Sequence, residues 1–188
     1  MHLVFKFTPE VDSQATLKLK VEINTREHTN LLGIKRYPFA FENDWYRGKT
    51  EIASFEPEEL FGTKLRALLQ RRASRDLFDL HQGLEQLPLA PEKVIACFDH
   101  CLALEGKPIT RAMAEQRMLE KLTRSLTEDI IPLLPVGIQF GESDAIHAFE
   151  RVWIDLIARM SGEGWKLAEP VLEELRVKRF PGLLTSRD

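Results

Sequence analysis

The sequence predicts an α+β chain, with β structure over residues 1–55 and a mostly helical region over 56–188. Three observations lead there. Ala15 to Asn24 (ATLKLKVEIN) alternates apolar and polar side chains, the period of a strand. After Phe55 the period becomes helical, most clearly over Ser143–Ser161, where Phe149, Val152, Trp153, Leu156, Ile157 and Met160 follow the i, i+3, i+4, i+7 rule. A chain of 188 residues with 44% hydrophobic and 29% charged side chains is long and apolar enough to bury a core.

In chain order, His2–Thr8 reads as a short strand and Val11–Gln14 as its turn. The next strand places Leu17, Leu19, Val21 and Ile23 on one face and Lys18, Lys20, Glu22 and Asn24 on the other. Tyr37–Phe41 and Lys49–Phe55 are weaker strands separated by the turn-like Glu42–Gly48. So little β material makes a small, strongly edged sheet that needs cover from helices or further strands. Pro57 suits a first helical turn, and Glu56, Glu58 and Glu59 complement the helix N-terminus. That helix is expected over Pro57–Arg71, with Ser74 or Asp76 capping a second that runs to Gln86 before Pro88. Further helices are expected at 91–104, 110–131, 143–161 and 169–178, with Pro132 and Pro135 breaking the chain between the second and third of these. There is no internal repeat and no low-complexity linker.

Composition excludes several classes. A formal net charge of −3 argues against a general nucleic-acid coat, so any anion site must be local. No apolar run approaches the roughly 20 residues that span a bilayer. The opening MHLVFKFTPE lacks the basic, apolar and small-residue pattern of a secretory signal. Cys97, His100 and Cys101 fall in one helical segment, but a zinc site wants four ligands and no second cluster supplies the rest. The two cysteines read as core residues of a protein in a reducing cytoplasm.

The chemistry concentrates in FGTKLRALLQRRASRDLFDL, residues 61–80. It gathers Lys64, Arg66, Arg71, Arg72 and Arg75, then places Asp76 and Asp79 directly after them. On a continuous helix Lys64, Leu68, Arg71 and Arg75 share one face, so Lys64 and Arg71 can point at one anion. Lysine meets phosphate as a mobile point charge and arginine as a rigid fork. Asp76 is suited to accept a proton from an attacking hydroxyl or to hold a metal bridging phosphate oxygens. The competing reading is a solvated, salt-bridged helix with Arg72–Asp76 and Arg75–Asp79 pairs at i, i+4. Glu22, on the polar face of the best strand, is a second candidate carboxylate for a metal, against the simpler reading of an exposed outer-face glutamate.

Val21-Glu22-Ile23 on a strand, followed some forty residues on by KLRALLQRRASRDLFDL, resembles the AbiEii/AbiGii-type toxin family of nucleotidyltransferase-fold proteins. The matching residues are Lys64, Ala67, Leu68, Arg71, Arg75, Asp76, Asp79 and Leu80, in the family's order, spacing and β-then-α context. The resemblance implies that residues 1–55 are part of a nucleotidyltransferase-like sheet and that 56–188 carry the Lys/Arg–Asp motif. It implies transfer of a nucleotide from an NTP to an RNA acceptor such as tRNA ends, with Mg2+, by a toxin of a phage-resistance system neutralised by an antitoxin. Lys64 would bind triphosphate, Asp76 would serve in catalysis, and Arg71, Arg75 and Asp79 would support the site. Glu22 would correspond to the later acid of the sheet and a metal ligand.

The family's N-terminal half carries a Gly-Ser-like turn and an Asp-x-Asp pair, and no Asp-x-Asp occurs in this sequence. The chain therefore resembles the C-terminal two-thirds of such a toxin. On that ground it is expected to transfer little or no nucleotide as written and to self-associate through open strand edges. The alternative function is a non-catalytic module that binds nucleotide, RNA or an antitoxin.

Overall fold

The computed structural model describes residues 2–12, 14–23, 29–124 and 126–185. Among the described residues four strands precede six α-helices, an α+β architecture as expected. The chain forms two compact units, Met1–Asn30 and Leu31–Asp188.

The first unit is an antiparallel hairpin of β1 (His2–Phe7) and β2 (Leu17–Glu22). Its register sets Leu3 against Val21, Phe5 against Leu19 and Phe7 against Leu17. Directly opposed residues point to the same side, so these six form one apolar face, as the alternation of β2 requires. A two-stranded ribbon has no second layer to bury that face, and Phe5 and Leu19 remain about half exposed, at 52% and 54%. Asn24, placed by the sequence at the end of β2, lies outside the described residues.

The second unit opens with the hairpin β3 (Ile34–Glu42) and β4 (Arg47–Phe55), β3 longer at both ends than expected and β4 longer at its start. Its turn is an Asx type: the Asn43 side-chain oxygen accepts the amides of Trp45 at 3.0 Å and Tyr46 at 2.7 Å. The two hairpins are separate sheets, and no strand side chain among the described residues is buried.

The core is helical. α1 (Pro57–Gln70) starts on Pro57 and contributes Leu65, Leu68 and Leu69. α2 (Arg75–Gln86) contributes Leu77 and Leu80, and α3 (Pro91–Glu105) contributes Val94, Phe98 and Leu102. α3 ends at Gly106, whose φ of +64° closes a left-handed cap, with the Lys107 amide returning 3.2 Å to the Leu102 carbonyl. α1 and α3 meet closely at Gly62, where an added Cβ would lie 2.7 Å from Cys97 Cβ and 2.9 Å from the Phe98 amide. Cys97 is buried there, and burial pushes its thiol up to about 11, as befits a packing residue.

α4 (Arg111–Lys121) is capped by the Thr110 hydroxyl, which accepts the Met113 amide. The helix ends ten residues before the expected 131. Leu122, Leu126 and Ile130 are all buried, yet turns carry them into the core in place of a continuous helix. α5 (Glu142–Asp155) begins where Asp144 reaches back to accept the Gly141 amide at 2.7 Å, and α6 (Ala168–Lys178) closes the unit. The helix expected over 143–161 stops at Asp155, but a short 3-10 turn at Ile157–Arg159 keeps Leu156, Ile157 and Met160 in the core.

Candidate functional site

The motif block does not form one helix. Arg71 caps α1 in an extended conformation (φ −95°, ψ 151°), the chain turns through Arg72 and Ala73, and α2 starts at Arg75. Leu68, which the single-helix spacing put beside Lys64, is fully buried in the core. The reversal at 71–74 brings the charged groups together instead. Lys64, Arg71, Arg75, Asp76 and Asp79 line one cleft of about 300 Å3, with Phe78, Ile130, Leu133, Leu134 and Pro135 as its apolar walls.

The ion pairs run across the turn. Lys64 Nζ lies 2.6 Å from Asp79 Oδ2 and 3.6 Å from Asp76 Oδ1, and Arg71 Nη1 lies 3.4 Å from Asp76 Oδ2. The i, i+4 pairs Arg72–Asp76 and Arg75–Asp79 of the salt-bridged-helix reading do not occur. Asp76 is 2% exposed, on the first turn of α2, where free amides and the helix dipole favour a carboxylate. A buried carboxylate is tolerable only when paired, and Lys64 and Arg71 supply the pairing. Asp79 sits one turn further on and stays accessible.

Two residues that sequence reasoning missed hold the turn. Lys121, buried at the end of α4, donates to the carbonyls of Arg71 at 2.9 Å, Ala73 at 3.1 Å and Arg72 at 3.5 Å. Burial lowers its pKa to about 8, against the opposing pull of Asp76 and then Asp129. Asp129 accepts the Ser74 amide at 3.1 Å from the other side. Neither partner is local in sequence, so no periodicity signals them.

Beside the cleft and sharing Arg71 runs a groove of about 420 Å3 between the end of α1 and α4. Arg71, Arg72, Arg117, Lys121 and Arg124 line it, with Glu120 as the single acid, in a chain whose net charge is −3. Arg117 is braced by the Leu69 carbonyl at 3.2 Å. Glu22 belongs to the first unit, where Lys20 and His2 hold its carboxylate and the Lys20 ammonium lowers its pKa.

The chain has a counterpart among known protein families. The model of the nucleotidyl transferase AbiEii toxin family, of type IV toxin–antitoxin systems, matches residues 2–153, from β1 to near the end of α5, and the chain belongs to this family. Curated proteins and solved structures gave no significant match. The family assigns the chain to toxin–antitoxin nucleotidyltransferases, which generally use an NTP and a divalent metal. No helix among the described residues is long and apolar enough to cross a membrane.

Proposed function

We propose that the Lys64–Asp79 cleft binds the triphosphate of an NTP and that the nucleotide is transferred to an RNA acceptor whose backbone follows the adjoining basic groove. The observation that carries this reading is the meeting of three cations with a buried and an accessible carboxylate in one cleft. Lys64 and Arg71 are ion-paired to the acids in the free chain. Triphosphate oxygens draw these cations away, and the Arg71 fork suits two phosphate oxygens at once. Asp76 then shares both partners with the phosphates, is held less tightly by them, and becomes the base that takes the proton from the acceptor hydroxyl. The hydroxyl oxygen bonds to the α-phosphorus and pyrophosphate leaves. Substrate binding and activation of the base are thus one event.

The donor set fits an anion better than a resident dication. Both Asp76 oxygens and one of Asp79 face basic groups, and magnesium is usually held by one or two carboxylates together with substrate phosphates. A divalent ion of the kind family members use would enter with the triphosphate. The same reading gives the chain an antitoxin partner that keeps the cleft from its substrates and a phage-resistance role.

Labelled NTPs, magnesium and bulk tRNA provide the test. Lys64→Ala is expected to weaken NTP binding in calorimetry, and Asp76→Asn to suppress labelling more than binding. If both variants bind and transfer as the parent does, the roles are wrong. A second reading, nucleotide binding without turnover, is favoured by the ion-paired state of both acids. NTP binding that depends on Lys64, with no labelling of RNA, would decide for it.

A further inference from the structure

We propose that His81, Glu85 and His147 form a binding site for one divalent transition-metal ion of the zinc class, clasping α2 to α5. His81 and Glu85 are i, i+4 on α2 and so share a face, and His147 comes from the facing side of α5. One ligand atom from each lies within 4.8 Å of the others. The imidazoles meet edge to face with centroids 5.3 Å apart. Donors around a tetrahedral zinc stand roughly 3.4 Å apart, given Zn–N bonds of about 2.0–2.1 Å. Closing the remaining gap asks only for rotation of Glu85 and His147, both of which are exposed.

Two further features point to a cation. His81 Nδ1 is buried without a hydrogen-bond partner, although buried ring nitrogens are ordinarily satisfied. Glu85 is only loosely paired, 3.8 Å from Arg151 Nε, while Arg151 is held tightly by Asp155 at 2.6 Å. An incoming ion can therefore take Glu85 without stranding the arginine. Asp144, on the first turn of α5, adds a second negative charge felt at His81, which partly counters Arg151. Two imidazoles and one carboxylate select zinc, nickel or copper over magnesium, which prefers oxygen ligands. Three protein ligands leave an open position for water. The site lies two residues beyond Asp79 on α2, so the ion fixes the helix that bears both cleft acids.

The untagged chain, stripped with chelator, is titrated with Zn2+ in the presence of excess Mg2+. One equivalent is expected to bind. At free Zn2+ about a hundredfold above Kd, the Tm should rise by roughly 5–10 °C. His147→Ala and Glu85→Gln change exposed side chains, so both are expected to melt like the parent in chelator. His147→Ala should weaken Zn2+ binding at least about tenfold. Co2+ loaded into the parent should give visible ligand-field bands without a thiolate charge-transfer band. Absence of saturable Zn2+ binding, binding that His147→Ala leaves unchanged, or a thiolate band that moves the ion to cysteine would each overturn the proposal.

Discussion

Lys121→Met offers a direct measure of what holds the cleft in shape. The substitution keeps the length of the aliphatic stem and removes the ammonium that satisfies the 71–73 carbonyls. Two of those bonds, at 2.9 and 3.1 Å, are well formed, and a hydrogen bond from a charged donor contributes about 1.5–3 kcal/mol. Burying the ammonium works against this. A pKa lowered from 10.5 to about 8 corresponds to roughly 3 kcal/mol, and about 2 once solvent in the groove is allowed for. Near pH 7 the variant should therefore lose about 1–4 kcal/mol, a Tm drop of roughly 3–15 °C. The pH dependence is the sharper signature. The burial penalty is complete below pH 8, where Lys121 is charged in both states. It fades as pH rises toward 10.5, because the unfolded chain still binds the proton that the folded chain has released. The parent thus gains stability relative to the variant across that window, by about 2 kcal/mol. Urea unfolding of both proteins near pH 7 and near pH 10 cancels the other lysines. A stability gap that stays constant or narrows, or a variant as stable as the parent at pH 7, would refute the reasoning.

Three further outcomes are expected. Gly62→Ala should destabilise the helical unit by at least about 1–3 kcal/mol in denaturant titration, because the new methyl meets α3 backbone at 2.9 Å, where no side chain can swing aside. Glu59→Ala should cost about 2–4 kcal/mol by the same measurement, since its buried carboxylate accepts the amides of Leu31 at 2.7 Å and Leu32 at 2.9 Å. If RNA lies in the groove, Arg72→Ala combined with Arg124→Ala should flatten the salt dependence of RNA binding by roughly one to two units of slope while leaving NTP affinity near that of the parent.

Periodicity made elements legible wherever apolar side chains followed a single repeat. It located β2 and α5 through their apolar repeats, while Pro57 and the acids around it marked the start of α1. It overran at α4 because Leu122, Leu126 and Ile130 recur every four residues and are buried, as in a helix. The chain nevertheless turns at 122–124, where the Thr123 hydroxyl donates to the Glu120 carbonyl at 2.7 Å. Within the cleft, the residue types of the motif were readable but their geometry was not. Lys64 and Asp79 meet because the chain reverses at Arg71, whereas helical spacing would have joined Arg75 to Asp79. Lys121 and Asp129 left no trace in the sequence pattern because they serve backbone groups some fifty residues away. Glu59 reads as an ordinary first-turn acid, and its capture of two amides depends on how the segment before β3 returns to α1.

The dependence of the 71–74 turn on Lys121 and Asp129 also bears on the order in which the protein is made. The motif is synthesised long before the residues that brace it, and the Ile130–Pro135 wall comes later still. A nascent chain that has released only α1 and α2 carries every charged residue of the cleft but neither its brace nor that wall. Whatever the cleft does, it begins only when the chain has emerged past residue 135, so a ribosome stalled earlier presents the motif without the site.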